Sequence, residues 1–587
     1  MSVVNPMEAG TGVEALRGSG SGAFRRLREA IGRDQAVQVL RWAWRWRVVL
    51  LMNVYLIAPV LFYEVRLRDK TMPFTLSASV LGLATVHLLV RRVWLLHAVL
   101  FPFYVLVGVD LYTILHYDTR LASNMIVTIV ENMGDATAFL QGDMLRTVGN
   151  LLLLFVAYGF CLWSIRDKRM TVPRWLAIGP FTGLVLVYAG VTAYTTSWMT
   201  TILNDRSSPF GIFSQSYLAL DLHRQELLER EQAKSFRFGA VRAAPPSEAE
   251  TYVLVIGESA RKHNFSLYGY ERDTNPRLSK LRNLVVFEDV ITQVAQTRLS
   301  VPLLITRGTA VDRSRSARER SILAAFQEVG FHTAWLSTQQ RETAMASISR
   351  YTSDAEVVRF FERQHDMLLA STLANLLAQG GERDKRIFLL HTQGSHFNLT
   401  SRYPRSFARY PDGEGTGVLA HNSATEGRRE LIGAYDNTVL YTDHVLAEII
   451  ASLERQPGIK ALVYVPDHGD NLRDDDRNLF GHAHSNEWDL PIPMLFWYSN
   501  EFEQRYPEKV QNARKNAAHK LTTRSVFYTL ADIGGISLAD PELPKLSVLS
   551  AELANYPRIV SKEPHPVDFD EWMAENGITI PKAVPPP

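Results

Sequence analysis

The sequence predicts a two-part membrane protein, a five-helix N-terminal transmembrane domain followed by an α/β domain with a mostly parallel sheet. Three observations carry this expectation. Five apolar stretches follow one another between residues 48 and 197. The remainder alternates short β-rich runs with amphipathic helical segments, the pattern of a sheet covered on both faces. Finally, 587 residues with 46% hydrophobic and 21% charged side chains supply apolar material for several packed units, which excludes a disordered chain. With 63 Lys plus Arg against 61 Asp plus Glu, a net charge of +2 gives no support to a nucleic-acid partner held by bulk charge. The single cysteine, Cys161, excludes an intramolecular disulfide and a thiolate metal cluster within one chain. Any metal must therefore be held by oxygen and imidazole.

Residues 1–47 are polar and rich in arginine (Arg25, Arg26, Arg28, Arg33, Arg41, Arg45, Arg47), with no short apolar core before a cleavage site. They read as a partly helical cytoplasmic arm. The transmembrane domain covers 48–198, with apolar stretches at 48–65, 74–90, 93–115, 149–165 and 177–197. Each is about long enough to cross a ~30 Å hydrocarbon layer as a helix. Trp94, Trp163 and Trp198 stand at their ends, as aromatic rings do at a membrane interface. If the spans alternate, the arm, the Arg91–Arg92 turn and the loop with Arg166, Lys168, Arg169 and Arg174 share one side, which their charge marks as cytoplasmic. The basic loop from Arg66 to Lys70 opposes this and is outweighed. An odd number of spans places everything after Trp198 outside the cytoplasm. Residues 116–148, between spans three and four, read as short helices lying in the outer interface.

Residues 199–250 form a bridging helix and linker. Leu218, Leu220, Leu222, Leu227 and Leu228 have helical spacing, and Ala243-Ala244-Pro245-Pro246 follows. In the α/β domain, residues 251–540, strands are expected at 252–256, 284–287, 332–336, 387–391, 461–465 and 494–497, and helices near 318–328, 430–455 and 521–533. Residues 541–587, ending in Pro585-Pro586-Pro587, read as an irregular tail.

Ligand-binding residues of an open α/β sheet collect just past the carboxyl ends of its strands. Glu258 stands two residues after the first expected strand, His391 closes another with His396 just beyond, and Asp467-His468-Gly469 follows a third. Carboxylates and imidazole without cysteine suit Zn²⁺, and Mn²⁺ less well.

Gly257-Glu258-Ser259-Ala260-Arg261 continues through Asn264-Phe265-Ser266-Leu267-Tyr268-Gly269-Tyr270 to Thr274-Asn275-Pro276. Then come Thr297-Arg298-Leu299-Ser300-Val301-Pro302, Gly394-Ser395-His396, Ala434-Tyr435-Asp436-Asn437 and Asp467-His468-Gly469. This ordered series resembles the phosphoethanolamine transferases of Gram-negative inner membranes, within the alkaline phosphatase and sulfatase superfamily, over about residues 48 to 535. The resemblance implies a catalytic domain in the periplasm and a two-step transfer. A zinc-activated threonine takes phosphoethanolamine from phosphatidylethanolamine and passes it to a glycolipid or glycan, such as lipid A or the lipopolysaccharide core. It further implies Glu258, Thr297, Asp467 and His468 as metal ligands, Thr297 as nucleophile, and His396 and His482 as phosphoryl contacts, second-metal ligands or the acid for the leaving oxygen. His484, two residues after His482, competes with it, and Ser300 competes with Thr297.

Plainer readings stand beside these. Glu258 could cap a helix, and Asp467 and His468 could form a turn. His391 reads as buried support, Asp436 and Asn437 as residues behind the ligands, and His263, His421 and His444 as surface groups. Ala295 and Leu303 occupy positions where many lipid A-modifying relatives carry cysteines, which makes a core-sugar or other glycan acceptor at least as plausible. A phosphoglycerol transferase using phosphatidylglycerol, or a catalytically silent envelope-assembly protein, is the alternative function. A sulfatase is disfavoured, since Ser300-Val301-Pro302-Leu303-Leu304 lacks the arginine its nucleophile motif needs.

Overall fold

The structure is a computed structural model that describes residues 33–67, 72–117 and 144–194, scattered positions from 217 to 231, and 233–580 except 244, 340–345, 362–363, 380, 382–383, 413–426 and 563–564. The expected interfacial segment, most of the bridging helix and His421 lie outside the described residues. Two compact units result, one built from residues up to Ile114 and from Asn150 to Gln215, the other holding Ser216–Pro587.

The first unit is helical. Arg33–Leu67 is one helix, so the basic segment from Arg33 onward runs directly into the first apolar stretch. Nothing between Asp34 and Ala58 breaks a helix, and Pro59 is the first residue without an amide N–H. Met72–Leu89, Met144–Ser164 and Ile178–Tyr194 occupy the second, fourth and fifth expected stretches. The third is broken into Val93–Val99 and Phe101–Tyr117 with a 58° bend, and Pro102 opens the second piece. The Tyr158 hydroxyl donates to the His97 carbonyl (2.7 Å), close to the break. Among the described residues, one helical segment, Leu40–Phe62, is long and apolar enough to cross a membrane, or two if the bent pair is one span. The apolar residues from Leu152 to Val156 stand exposed on their helix, a surface that suits an apolar solvent better than water.

The second unit is built on an eight-stranded sheet of β1 (Glu250–Gly257), β2 (Leu284–Ile291), β3 (His332–Ser337), β4 (Val357–Phe360), β5 (Lys385–His391), β6 (Ile459–Pro466), β9 (Pro491–Tyr498) and β10 (Lys520–Thr522), with a small hairpin of β7 (Asn471–Leu472) and β8 (Phe480–Gly481) beside it. The order is β10-β2-β9-β6-β1-β5-β3-β4, and only β9 runs against the others. Every residue of β1, β6 and β9 is buried, as strands covered on both faces must be. Tyr252, Leu254 and Ile256 pack one way, against helices Ile322–Glu328 and Arg524–Ile533. Val253 and Val255 pack the other way, against Met367–Ala378 and Arg428–Glu454.

The six expected strands are all present. β4 and β10 are additions, being only four and three residues long at the two edges of the sheet, too short to give a periodic signal. β10 takes the first residues of the expected 521–533 helix. The 318–328 helix is interrupted, because the Ser321 amide donates to Asp354 instead of continuing the turn. The described part of the tail, to residue 580, also contains regular elements. β11 (Ile559–Val560) and β12 (Val567–Asp568) pair, helix Phe569–Glu575 is capped by Asp568, and buried Arg558 bonds both Asp289 and Asp570.

Candidate metal centre and reaction site

The site forms where β1, β5 and β6 end. β1 pairs with both neighbours in parallel register, with Gly257 opposite Pro466 and Ile256 opposite His391, so the residues that follow leave the sheet side by side. Glu258 continues β1. Ser259 then takes φ +53, a left-handed conformation costly for a residue with a Cβ. That turn aims the Ser259 amide at Asp467 Oδ1 (3.1 Å) and its hydroxyl at Glu258 Oε1 (2.9 Å). Tyr435 clamps the turn from helix Arg428–Glu454, donating its hydroxyl to the Ser259 carbonyl (2.6 Å) and accepting from the Arg261 amide (2.8 Å). Gly394 makes the neighbouring approach possible. Its φ is +46, and a Cβ there would lie 2.6 Å from the Glu258 carbonyl oxygen.

Thr297 opens helix Thr297–Ile305, whose positive end favours negative charge. Its hydroxyl lies 3.2 and 3.4 Å from the two Glu258 carboxylate oxygens and 3.0 Å from His468 Nε2. His468 Nδ1 donates to the Gly469 carbonyl (2.9 Å), which leaves Nε2 with a lone pair facing the cluster. Nε2 stands 3.3 Å from Asp467 Oδ2 and 3.7 Å from Glu258 Oε1. Asp467 Oδ2 is buried and has no hydrogen-bond partner.

This arrangement fits a cation. Three acceptor groups and a hydroxyl converge with one hydroxyl proton among them, and a tetrahedral ion with bonds of ~2.0–2.2 Å would have ligand–ligand edges of about 3.3–3.6 Å. The ligand atoms of Glu258, Asp467 and His468 all lie within 4.8 Å of one another, as an ion requires. Burial, and then the Asp467 charge, pushes the Glu258 carboxyl well above its usual range, and burial raises Asp467 as well. Burial, with His482 nearby, drops His468 to about 3, so it stays a neutral donor.

A second group adjoins the first. His468, Asp470 and His482 also bring ligand atoms within 4.8 Å of each other. The His482 ring lies 4.1 Å from the His468 ring, and its Nδ1 faces Asp470 Oδ1 at 3.3 Å. His484 turns away, with Nε2 against the Phe480 carbonyl at 3.1 Å. Ser300 also faces elsewhere, donating to the Asp467 carbonyl (2.6 Å). His396 is half-buried, its ring in a tilted contact with Phe397 at 4.2 Å, and burial, followed by the neighbouring Arg402, His482 and His468, pushes it well below the usual imidazole range.

Several sequence expectations change here. His263 is buried against Trp488 at 4.9 Å, because the turn after Arg261 folds inward. His444 meets Arg277 Nη1 at 2.7 Å and packs on Phe407. His391, by contrast, is buried against Trp335, the supporting place expected for it. Asp436 does not face the ligands. It accepts from Asn264, Tyr270 and Arg272, while Asn437 accepts from the Arg409 and Tyr410 amides. Three residues absent from the sequence reading surround the ligands instead. Gln339 donates to Glu258 Oε2 (3.1 Å) and the Thr392 carbonyl, Asp366 accepts from the Gln393 and Gly394 amides, and Asp470 faces His482. Gln339 follows β3 by two residues, so the strand-end rule that marked Glu258 applies to it equally. Asp366, at the start of a helix, carries no such signal.

The fold and this donor set define a class. Residues 250–536 match the Sulfatase family model. The chain is also similar to proteins named phosphoethanolamine transferases. It is 27% identical over 419 residues to the Kdo(2)-lipid A phosphoethanolamine 7''-transferase of Salmonella typhimurium, covering 65% of this chain and 71% of that one. It is 26% identical to the phosphoethanolamine transferase EptC of Escherichia coli, over 55% of this chain and 58% of the relative. The same fold occurs in the integral membrane lipooligosaccharide phosphoethanolamine transferase A of Neisseria meningitidis (TM-score 0.62, 19% identity, 86% of this chain and 98% of that one). It occurs again in the periplasmic domain of Escherichia coli EptC in complex with Zn (TM-score 0.51, 23% identity, 57% and 95%).

Proposed function

We propose that the protein is a zinc-dependent phosphoethanolamine transferase that takes phosphoethanolamine from phosphatidylethanolamine and delivers it to a hydroxyl or phosphate of a cell-envelope glycolipid or glycan, with Thr297 carrying the group between the two. The observation that carries this reading is the Thr297 hydroxyl set between the Glu258 carboxylate and His468 Nε2 at the positive end of its helix. Glu258, Thr297, Asp467 and His468 are the residues that would hold Zn²⁺. Bound there, the ion would favour the threonine alkoxide and polarise the phosphoryl oxygen.

In the first step Thr297 Oγ1, as the alkoxide whose proton has already passed to solvent and which is released again as the alkoxide in the second step, bonds to phosphorus, the bond from phosphorus to the diacylglycerol oxygen breaks, and that oxygen takes a proton. His482 is the donor we assign, since Asp470 can orient its ring through Nδ1. In the second step the acceptor oxygen loses its proton to the same imidazole and bonds to phosphorus, and the Thr297 oxygen leaves. His396 is assigned to contact the phosphoryl group. A lipid donor calls for a catalytic domain at the bilayer. We accordingly propose five spans within 48–198, a cytoplasmic arm, and residues 251–540 in the periplasm. The activities of the relatives support the reaction class.

The test is to incubate the detergent-solubilised full chain and Zn²⁺ with phosphatidylethanolamine or phosphatidylglycerol labelled in the head group. Expected are diacylglycerol release from phosphatidylethanolamine and a phosphoethanolamine adduct on the peptide containing Thr297, read by mass spectrometry. Label from phosphatidylglycerol alone would make it a phosphoglycerol transferase, and no adduct from either lipid would point to the silent assembly protein.

A further inference from the structure

His482 sits in a loop whose backbone is unusual. Gly481, Ala483 and Ser485 all have positive φ, at 78°, 72° and 51°, and alanine and serine adopt such angles only where their surroundings impose them. The amides of this loop are satisfied from within the matched domain. Asp489 accepts from the amides of His484 (2.8 Å), Ser485 (3.1 Å) and Asn486 (2.7 Å), and the Ala483 amide donates to the Ala295 carbonyl (2.9 Å), two residues before Thr297.

Two of its carbonyls are satisfied from elsewhere. Lys562 Nζ donates to the Ser485 carbonyl (2.9 Å) and the His484 carbonyl (3.5 Å), and Ser485 Oγ donates to the Ser561 carbonyl (3.0 Å). The ammonium group lies over the Trp572 ring at 4.3 Å. The segment carrying Lys562 is itself anchored. Val560, Phe569 and Met573 pack with Ile291, Ala295 and Leu490, and Ser561 donates its amide to the Gln293 carbonyl. The segment that carries Lys562 lies beyond residue 536, where the family match ends.

We infer that the C-terminal segment around β11, β12 and helix Phe569–Glu575 is part of the active-site scaffold, with Lys562 the positioning residue that holds the His482 loop in its left-handed turns. This rests on the role proposed above for His482. Removing the ammonium group leaves two carbonyls of a strained loop without a charged donor, and the loop relaxes toward ordinary φ values, carrying His482 away from His468 and Asp470.

The experiment uses the full-length zinc-loaded protein. In Lys562→Met, amide hydrogen exchange over residues 481–489 should rise about tenfold while the central strands stay protected, and Lys562→Arg should restore most of that protection. Turnover per folded molecule should fall about tenfold, and Lys562→Met should cost nothing further in a His482→Ala background, because both changes remove the same positioned imidazole. Unchanged exchange in the loop overturns the inference, and so does an equal loss of turnover in both backgrounds. If the wild-type chain transfers no head group at all, the proposed activity fails, and the exchange result alone decides the scaffold.

Discussion

Two pairs of buried carboxylates sit within the same domain and behave differently. Asp436 accepts from Asn264, Tyr270 and Arg272, and Asp366 from Thr338 and the Gln393 and Gly394 amides. Each is matched by donors, an arginine among those of Asp436, and each holds a loop. Glu258 and Asp467 are no more buried, yet Asp467 Oδ2 has no donor and the two side chains share a small space with a neutral imidazole. Burial alone therefore does not separate the two pairs. The unmatched Asp467 Oδ2 does, since Glu258 itself accepts from Ser259, Thr297 and Gln339, and a buried acceptor left unmatched is costly unless a cation completes it.

The sharpest way to break this contrast is Thr297→Ala. It should lower transfer on the order of a thousandfold or more, remove the adduct, and leave the thermal midpoint nearly unchanged, since one hydroxyl is lost from an otherwise intact pocket. A variant that still transfers would end the assignment of Thr297. Next is Gln339→Leu, which deletes the Glu258 partner and should weaken zinc affinity by about 10- to 100-fold in a competition titration with a chelator. Asp436→Asn should do the opposite. It should cost about 3 kcal/mol of stability in denaturant unfolding by breaking a buried pair with Arg272, yet leave zinc affinity within about threefold. Equal losses of zinc affinity in these two variants would erase the distinction between the pairs.

The smallest effect is the pH dependence. In the metal-free protein Glu258 and Asp467 are held above the usual carboxylate range, so the folded chain keeps protons that the unfolded chain releases. Stability of the metal-free form should fall as pH rises from that range through the raised values, while zinc binding, which expels the same protons, should strengthen over the same window. Thermal midpoints measured across this window, with and without chelator, should diverge as pH rises, and parallel curves would mean that these groups do not hold the metal.

Legibility differed along the chain. The six longer strands could be read because β1, β5, β6 and β9 are continuous apolar runs flanked by turn residues, whereas β4 and β10 are stabilised only by pairing at a sheet edge. Spacing two residues apart gave no difference between His482 and His484. The positive φ of Ala483 between them turns the neighbouring rings to different partners, Asp470 and the Phe480 carbonyl. The tail read as irregular because its two-residue strands and single short helix are too brief to give a periodic signal, and their order comes from Arg558, Lys562 and a shared apolar cluster. The bent third helix of the N-terminal unit was legible only in hindsight, from Pro102.

Local order along the chain was enough to establish the alternation of strands and helices and the placing of Glu258, His396, Asp467 and His468 just past strand ends, since each depends on residue type and short-range spacing. Only tertiary packing decided which acceptors lack donors, that Gln339, Asp366 and Tyr435 hold the ligand loops, and that the C-terminal segment reaches the His482 loop. Those contacts join residues far apart in sequence, and a hydrogen bond between them exists only once the sheet has brought the two backbones to within a few ångströms.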